Sequence, residues 1–165
     1  MKKIIIGVGL GVLILAGVIF AAQPKTSNSG AAVAVASNGT FVVEESSNYD
    51  FGSISMAAGK VTRQFKIRNT GAETVTVSKM YTSCMCTSAL LMKGEKKFGP
   101  YGMPGHAVVP KINVPVEPNE EVIVEVVFDP AAHGPAGVGR IEREVILENN
   151  AGQPVKLQFA AMVTP

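Results

Sequence analysis

From Phe41 onward the apolar positions of the chain recur every second residue. Val122, Val124, Val126 and Phe128 share one parity, with Glu121 and Glu125 on the other. Val155, Leu157, Phe159, Ala161 and Val163 repeat the pattern opposite Lys156 and Gln158. Val75 and Val77 alternate with Thr74, Thr76 and Ser78, and Phe65 and Ile67 with Gln64, Lys66 and Arg68. Side chains of a strand alternate between its two faces, so this period predicts strands with one face buried. No helical period competes with it after Thr40. Strands are predicted near 41–45, 61–68, 73–81, 107–114, 121–129, 139–148 and 154–163, with a short element at Tyr49 to Gly52. Turn residues separate them: Asn69-Thr70-Gly71, Glu117-Pro118-Asn119-Glu120 and Asn149-Asn150-Ala151-Gly152. Seven or eight strands in this arrangement predict an all-β, immunoglobulin-like β-sandwich over residues 41–165. Thr87 to Pro110 breaks the pattern. Dense in Gly and Pro, it reads as a long ordered loop carrying Phe98, Tyr101 and Met103.

The chain before Phe41 follows other rules. Lys2 and Lys3 precede an unbroken uncharged run from Ile4 to Ala22. As a helix it spans roughly 28 Å, about one hydrocarbon core. The run is long for a signal peptide, and Phe20 fits a cleavage site poorly. Residues 1–22 are therefore read as a retained transmembrane anchor in preference to a cleaved signal peptide. The lysines are expected on the cytoplasmic side and everything after Ala22 outside it, periplasmic or at the cell surface. Residues 23–40, rich in Ser, Ala, Gly and Asn, are expected to be a flexible linker.

Composition then narrows the function. A net charge of +2 on 165 residues supplies no electrostatic footprint for nucleic acid. No nucleophile elbow, phosphate loop or zinc-protease helix motif occurs, so an enzyme is not expected. The chemistry-bearing residues are few: two cysteines, Cys84 and Cys86, and two histidines, His106 and His133. In an extended strand, cysteines two apart point the same way with Cα atoms roughly 6.5–7 Å apart. That is at or beyond the limit of an ordinary disulfide, so a bridge needs a bent backbone. Three readings stay open: buried inert thiols, a redox-active C-x-C disulfide, or a soft-metal site. The metal reading joins Cys84, Cys86, His106 and His133 around Cu(I), ahead of Zn(II), with Met103 or Met85 as an axial ligand. Arg140 and Arg143 read as residues of a solvated strand face or as partners of Glu142 and Glu144.

At these residues the chain resembles a bacterial family known as domain of unknown function 1573. The matching pieces are Tyr49-Asp50-Phe51-Gly52, Phe65 through Gly71, Ser83-Cys84-Met85-Cys86-Thr87, and Val127-Phe128-Asp129-Pro130. They run in the family's order over about residues 45 to 163. The resemblance implies an exported immunoglobulin-like sandwich, akin to domains of cilium- and centrosome-associated proteins, and implies no catalytic activity. Two features depart from the usual short form: Met85 stands where glycine is common, and the Phe98 to His106 loop is an insertion. Two functions follow as expectations. One is a membrane-anchored, non-catalytic binding module for an envelope protein or another copy of itself. The other is a copper-binding protein or metallochaperone.

Overall fold

The computed structural model describes residues 41–165. The expected anchor (1–22) and linker (23–40) lie outside the described residues. Among the described residues, no helix is long and apolar enough to cross a membrane.

Among the described residues, ten strands form two five-stranded sheets packed face to face. One sheet has the order β1 (Phe41–Val43), β3 (Val61–Asn69), β8 (Glu121–Phe128), β5 (Thr87–Lys93), β6 (Lys96–Tyr101). The other has the order β2 (Asn48–Ser55), β10 (Val155–Thr164), β9 (Gly139–Asn149), β4 (Val75–Thr82), β7 (Val114–Val116). The apolar parities read from the sequence are the faces that meet. Val122, Val124, Val126 and Phe128 of β8 are buried, as are Leu157, Phe159, Ala161 and Val163 of β10. Burial of each large apolar side chain contributes about 1.5–3 kcal/mol, enough across so many positions to hold the sheets together.

Two expectations are corrected, and a third element is present but longer than expected. The stretch expected to be a loop over Thr87 to Pro110 contains the β5–β6 hairpin, which raises the strand count above seven or eight. β5 lies between β8 and β6, with Thr87, Ala89 and Leu91 buried. Its solvent face carries Leu90 and Met92, so polar–apolar alternation, the signal for a strand, is missing there. Residues 107–114, expected to be a strand, contribute only the start of the three-residue β7. The short element at Tyr49 to Gly52 is part of an eight-residue strand running parallel to β10. It carries an extra residue, since Asp50 pairs with Ala160 and Ser53 with Met162. Gly52 takes a positive φ of 69° at this bulge, and its N–H donates to Asp50 Oδ1 at 2.8 Å.

The turns sit where the sequence places them. Asn119 has φ 63° after Pro118, and the Glu120 N–H donates to the Glu117 carbonyl, as a turn with proline second requires. Two connections carry the chain between the sheets at one pole. Residues 83–86 join β4 to β5, and residues 129–138 join β8 to β9. The pairing of Thr87 with Phe128 puts these two crossovers side by side.

Candidate functional site

The shared pole gathers the cysteines. Thr82 ends β4 and Thr87 begins β5, and both are buried polar residues. The Thr82 hydroxyl lies 2.9 Å from the Cys84 carbonyl and 3.1 Å from the Thr87 carbonyl. The Thr87 N–H donates to the Cys84 carbonyl, closing a turn. The Asp129 N–H donates to the Cys86 carbonyl at 2.9 Å, tying the neighbouring crossover to it. On the other side, Ser83 exchanges two hydrogen bonds with the Glu144 backbone.

This turn brings the Cα atoms of Cys84 and Cys86 to 5.2 Å, and the two residues form a disulfide. The extended spacing used above does not apply, because the strand ends at Thr82 and the chain bends before Cys84. Neither residue is a free thiol. Both are buried, Cys84 at 7% and Cys86 at 3% exposure.

Each sulfur has polar company. His133 Nε2 lies 3.3 Å from Cys84 Sγ. The Cys86 N–H donates to Cys84 Sγ at 3.2 Å. Arg143 Nε donates to Cys86 Sγ at 3.4 Å, and the Thr87 hydroxyl is 3.7 Å away. His133 owes its place to the second crossover. Asp129 accepts from the Ala131 N–H through its side chain, and the Gly134 N–H closes on the Ala131 carbonyl. Gly137 then passes so near that a Cβ there would lie 3.2 Å from that of His133. Arg143 lies on the same parity of β9 as buried Ile141 and Val145, yet is only half-buried. Its guanidinium Nη1 is held by the Glu142 carbonyl at 2.8 Å.

Of the four residues expected to meet, three do. Ligand atoms of Cys84, Cys86 and His133 all lie within 4.8 Å of one another. His106 is not in that group: it is exposed on the β6–β7 connection, where its N–H donates to the Met103 carbonyl. That loop bends back on itself, with Gly105 at φ 87°. Met85, between the cysteines, is 52% exposed. Met103 lies on the same β6–β7 connection as His106. Arg143 is the residue of this group that the sequence reading leaves on a solvated face or in a surface ion pair. Its inward parity on β9, shared with Ile141 and Val145, is the signal that points the other way.

An open groove of 680 Å³ runs beside this pole. Its walls include Tyr49 and Asp50 of β2, Arg140, Arg143 and Glu144 of β9, and Gln158 of β10. Ser83 also lines it, so the groove reaches the residue before Cys84. Asp50 pairs with Arg140 at 2.9 Å. The Gly52 N–H, and after it Arg140, hold the Asp50 carboxyl below the usual carboxylate range.

A family model described as protein of unknown function (DUF1573) matches residues 42–100, the stretch that carries most of the resemblance read from the sequence. No curated protein matches the chain. A protein of unknown function from Porphyromonas gingivalis superposes with a TM-score of 0.54 at 14% identity, covering 75% of this chain and 46% of that one. The chain thus spans less than half of that protein, and the likeness shows a shared fold. A PapD-like domain of human CEP192 gives a TM-score of 0.45 at 13% identity, covering 77% of this chain and 87% of that domain. The YadV chaperone gives 0.45 at 8% identity, covering 76% and 53%.

Proposed function

We propose that the chain is an extracytoplasmic, membrane-anchored binding module that holds an extended segment of a partner protein in the groove beside β2, β9 and β10. The groove carries this reading. It is open, lined by both signs of charge, and bordered by Tyr49. Such a surface suits a polypeptide with backbone amides and charges of its own. Strand addition at a sheet edge is the poorer route. β7 is three residues long with Pro115 at its centre, β6 carries Lys96, Lys97 and Pro100, and β2 is bulged. Anchoring by residues 1–22 and placement outside the cytoplasm rest on the apolar run Ile4 to Ala22. The disulfide supports the same placement, since such bonds persist in oxidising compartments.

A peptide library panned against the full-length chain tests the reading. Binders should lose about tenfold or more in affinity with Arg140→Glu or Tyr49→Ala. They should keep it with Lys66→Ala, on the other sheet. Binders indifferent to the groove substitutions would sink it.

A second reading has its own observation, the convergence of Cys84, Cys86 and His133 within 4.8 Å. Once the disulfide is reduced, two thiolates and an imidazole form a donor set for Cu(I), and less well for Zn(II). Titration of the reduced chain against a Cu(I) chelator should show one ion per chain. His133→Ala should weaken binding, whereas His106→Ala should not. Equal affinities in wild type and His133→Ala would remove the imidazole from the site.

A further inference from the structure

A C-x-C bridge does little for stability. Disulfides stabilise chiefly by restricting the unfolded chain, and the restriction grows with the loop they close. Here the sequence separation is 2. The turn is already held by hydrogen bonds from Thr87, Asp129 and Ser83. What touches the sulfurs is also unusual for an inert bridge. A disulfide sulfur is a weak acceptor, whereas a thiolate is strongly stabilised by N–H donors and cations. Cys86 Sγ has the guanidinium of Arg143 at 3.4 Å, and Cys84 Sγ has His133 Nε2 at 3.3 Å and the Cys86 N–H at 3.2 Å. Arg143 and the Cys86 N–H favour the reduced pair, as does His133 in the tautomer that carries its proton on Nε2. A disulfide whose reduced form is stabilised is an oxidant. The Arg143 cation, which favours a thiolate, also opposes a metal ion at the same sulfur.

We infer that Cys84–Cys86 is a dithiol-oxidising centre that passes its disulfide to a protein segment bearing two thiols. The groove of the preceding reading reaches this centre through Ser83 and Arg143, but the redox step stands without it. A partner thiolate attacks Cys84 Sγ, the sulfur of the more accessible residue. The S–S bond breaks, and its electron pair leaves on Cys86 Sγ beside Arg143. The partner's second thiolate then attacks its own sulfur in the mixed disulfide and expels the Cys84 thiolate beside His133. The partner loses two electrons and two protons. The chain keeps the electrons, and the protons pass to solvent or to the two new thiolates. One disulfide is delivered per chain, and the transfer needs no further oxidant.

The oxidised full-length chain, mixed with a synthetic peptide carrying two reduced cysteines and a metal chelator, provides the test. Alkylation and mass spectrometry count the thiols. Cys84 and Cys86 should both become alkylated, with one peptide disulfide formed per chain. Against a glutathione buffer, Arg143→Gln should shift the equilibrium about tenfold toward the chain's disulfide, and His133→Ala by a smaller factor in the same direction. Arg143→Lys should restore part of the shift. The urea midpoint of the oxidised chain should be the same in all of them, which a merely structural role would not allow. A disulfide that yields no thiols until denaturant is added would overturn the inference. So would Arg143→Gln and His133→Ala variants that equilibrate like wild type. Neither failure depends on the groove, which the panning experiment tests separately.

Discussion

Asn69 ends β3 fully buried, and its side chain replaces a stretch of missing ladder. Its amide nitrogen donates to the Glu73 carbonyl at 2.8 Å and to the Val116 carbonyl at 2.9 Å. Its amide oxygen accepts from the Gly71 N–H at 3.0 Å. The turn at this position is legible in Asn69-Thr70-Gly71. The burial is not, because it depends on β7 arriving from the far side of the insertion. Asn69→Ala should cost about 2–4 kcal/mol, since it leaves buried backbone groups unpaired. Asn69→Asp is nearly isosteric but cannot donate as a carboxylate, so at neutral pH it should cost at least as much. Urea denaturation of both variants checks this, and a loss under about 0.5 kcal/mol would show that water takes over these contacts. The cysteines teach the converse lesson. Their spacing in sequence argues against a bridge only under the assumption of extended backbone, and the turn after Thr82 removes that assumption.

At the scale of elements, the alternating strands are readable and the β5–β6 hairpin is not. Leu90, Leu91 and Met92 run together, and a continuous apolar run does not show which face is buried. The hairpin is pinned to the rest by the end of β5. Lys93 Nζ donates to the Pro115 carbonyl and meets Glu120 at 2.8 Å, joining β5 to β7 and to the turn before β8. The Lys93 hydrogen bond, and after it the Glu117 N–H, hold the Glu120 carboxyl below its usual range. A depressed folded value means that this contribution is complete above the unfolded value and is lost as pH falls through the folded one. Wild type should therefore exceed Glu120→Gln in denaturation midpoint at neutral pH. The gap should close on acidification below ~pH 4. A gap that persists unchanged at low pH would mean that the contact acts by packing rather than charge.

For the whole molecule, placement is the open prediction. With residues 1–22 retained, mass spectrometry of the membrane-extracted protein should find Met1 to Ala22 present. Protease added outside the cytoplasmic membrane should cut the chain. A mature N-terminus at Ala22 or Gln23 would make the segment a signal peptide instead. Sequence alone determined the strand period, the turns and the two-sheet class, because alternation and turn chemistry act over short stretches of chain. It also singled out Cys84, Cys86 and His133. Only the tertiary structure decided that His133 meets the cysteines while His106 does not, and that Arg143 joins them. Those outcomes depend on where the crossovers leave the sheets. Two connections far apart in sequence, 83–86 and 129–138, share a pole because β5 pairs with β8, and no local pattern encodes that pairing.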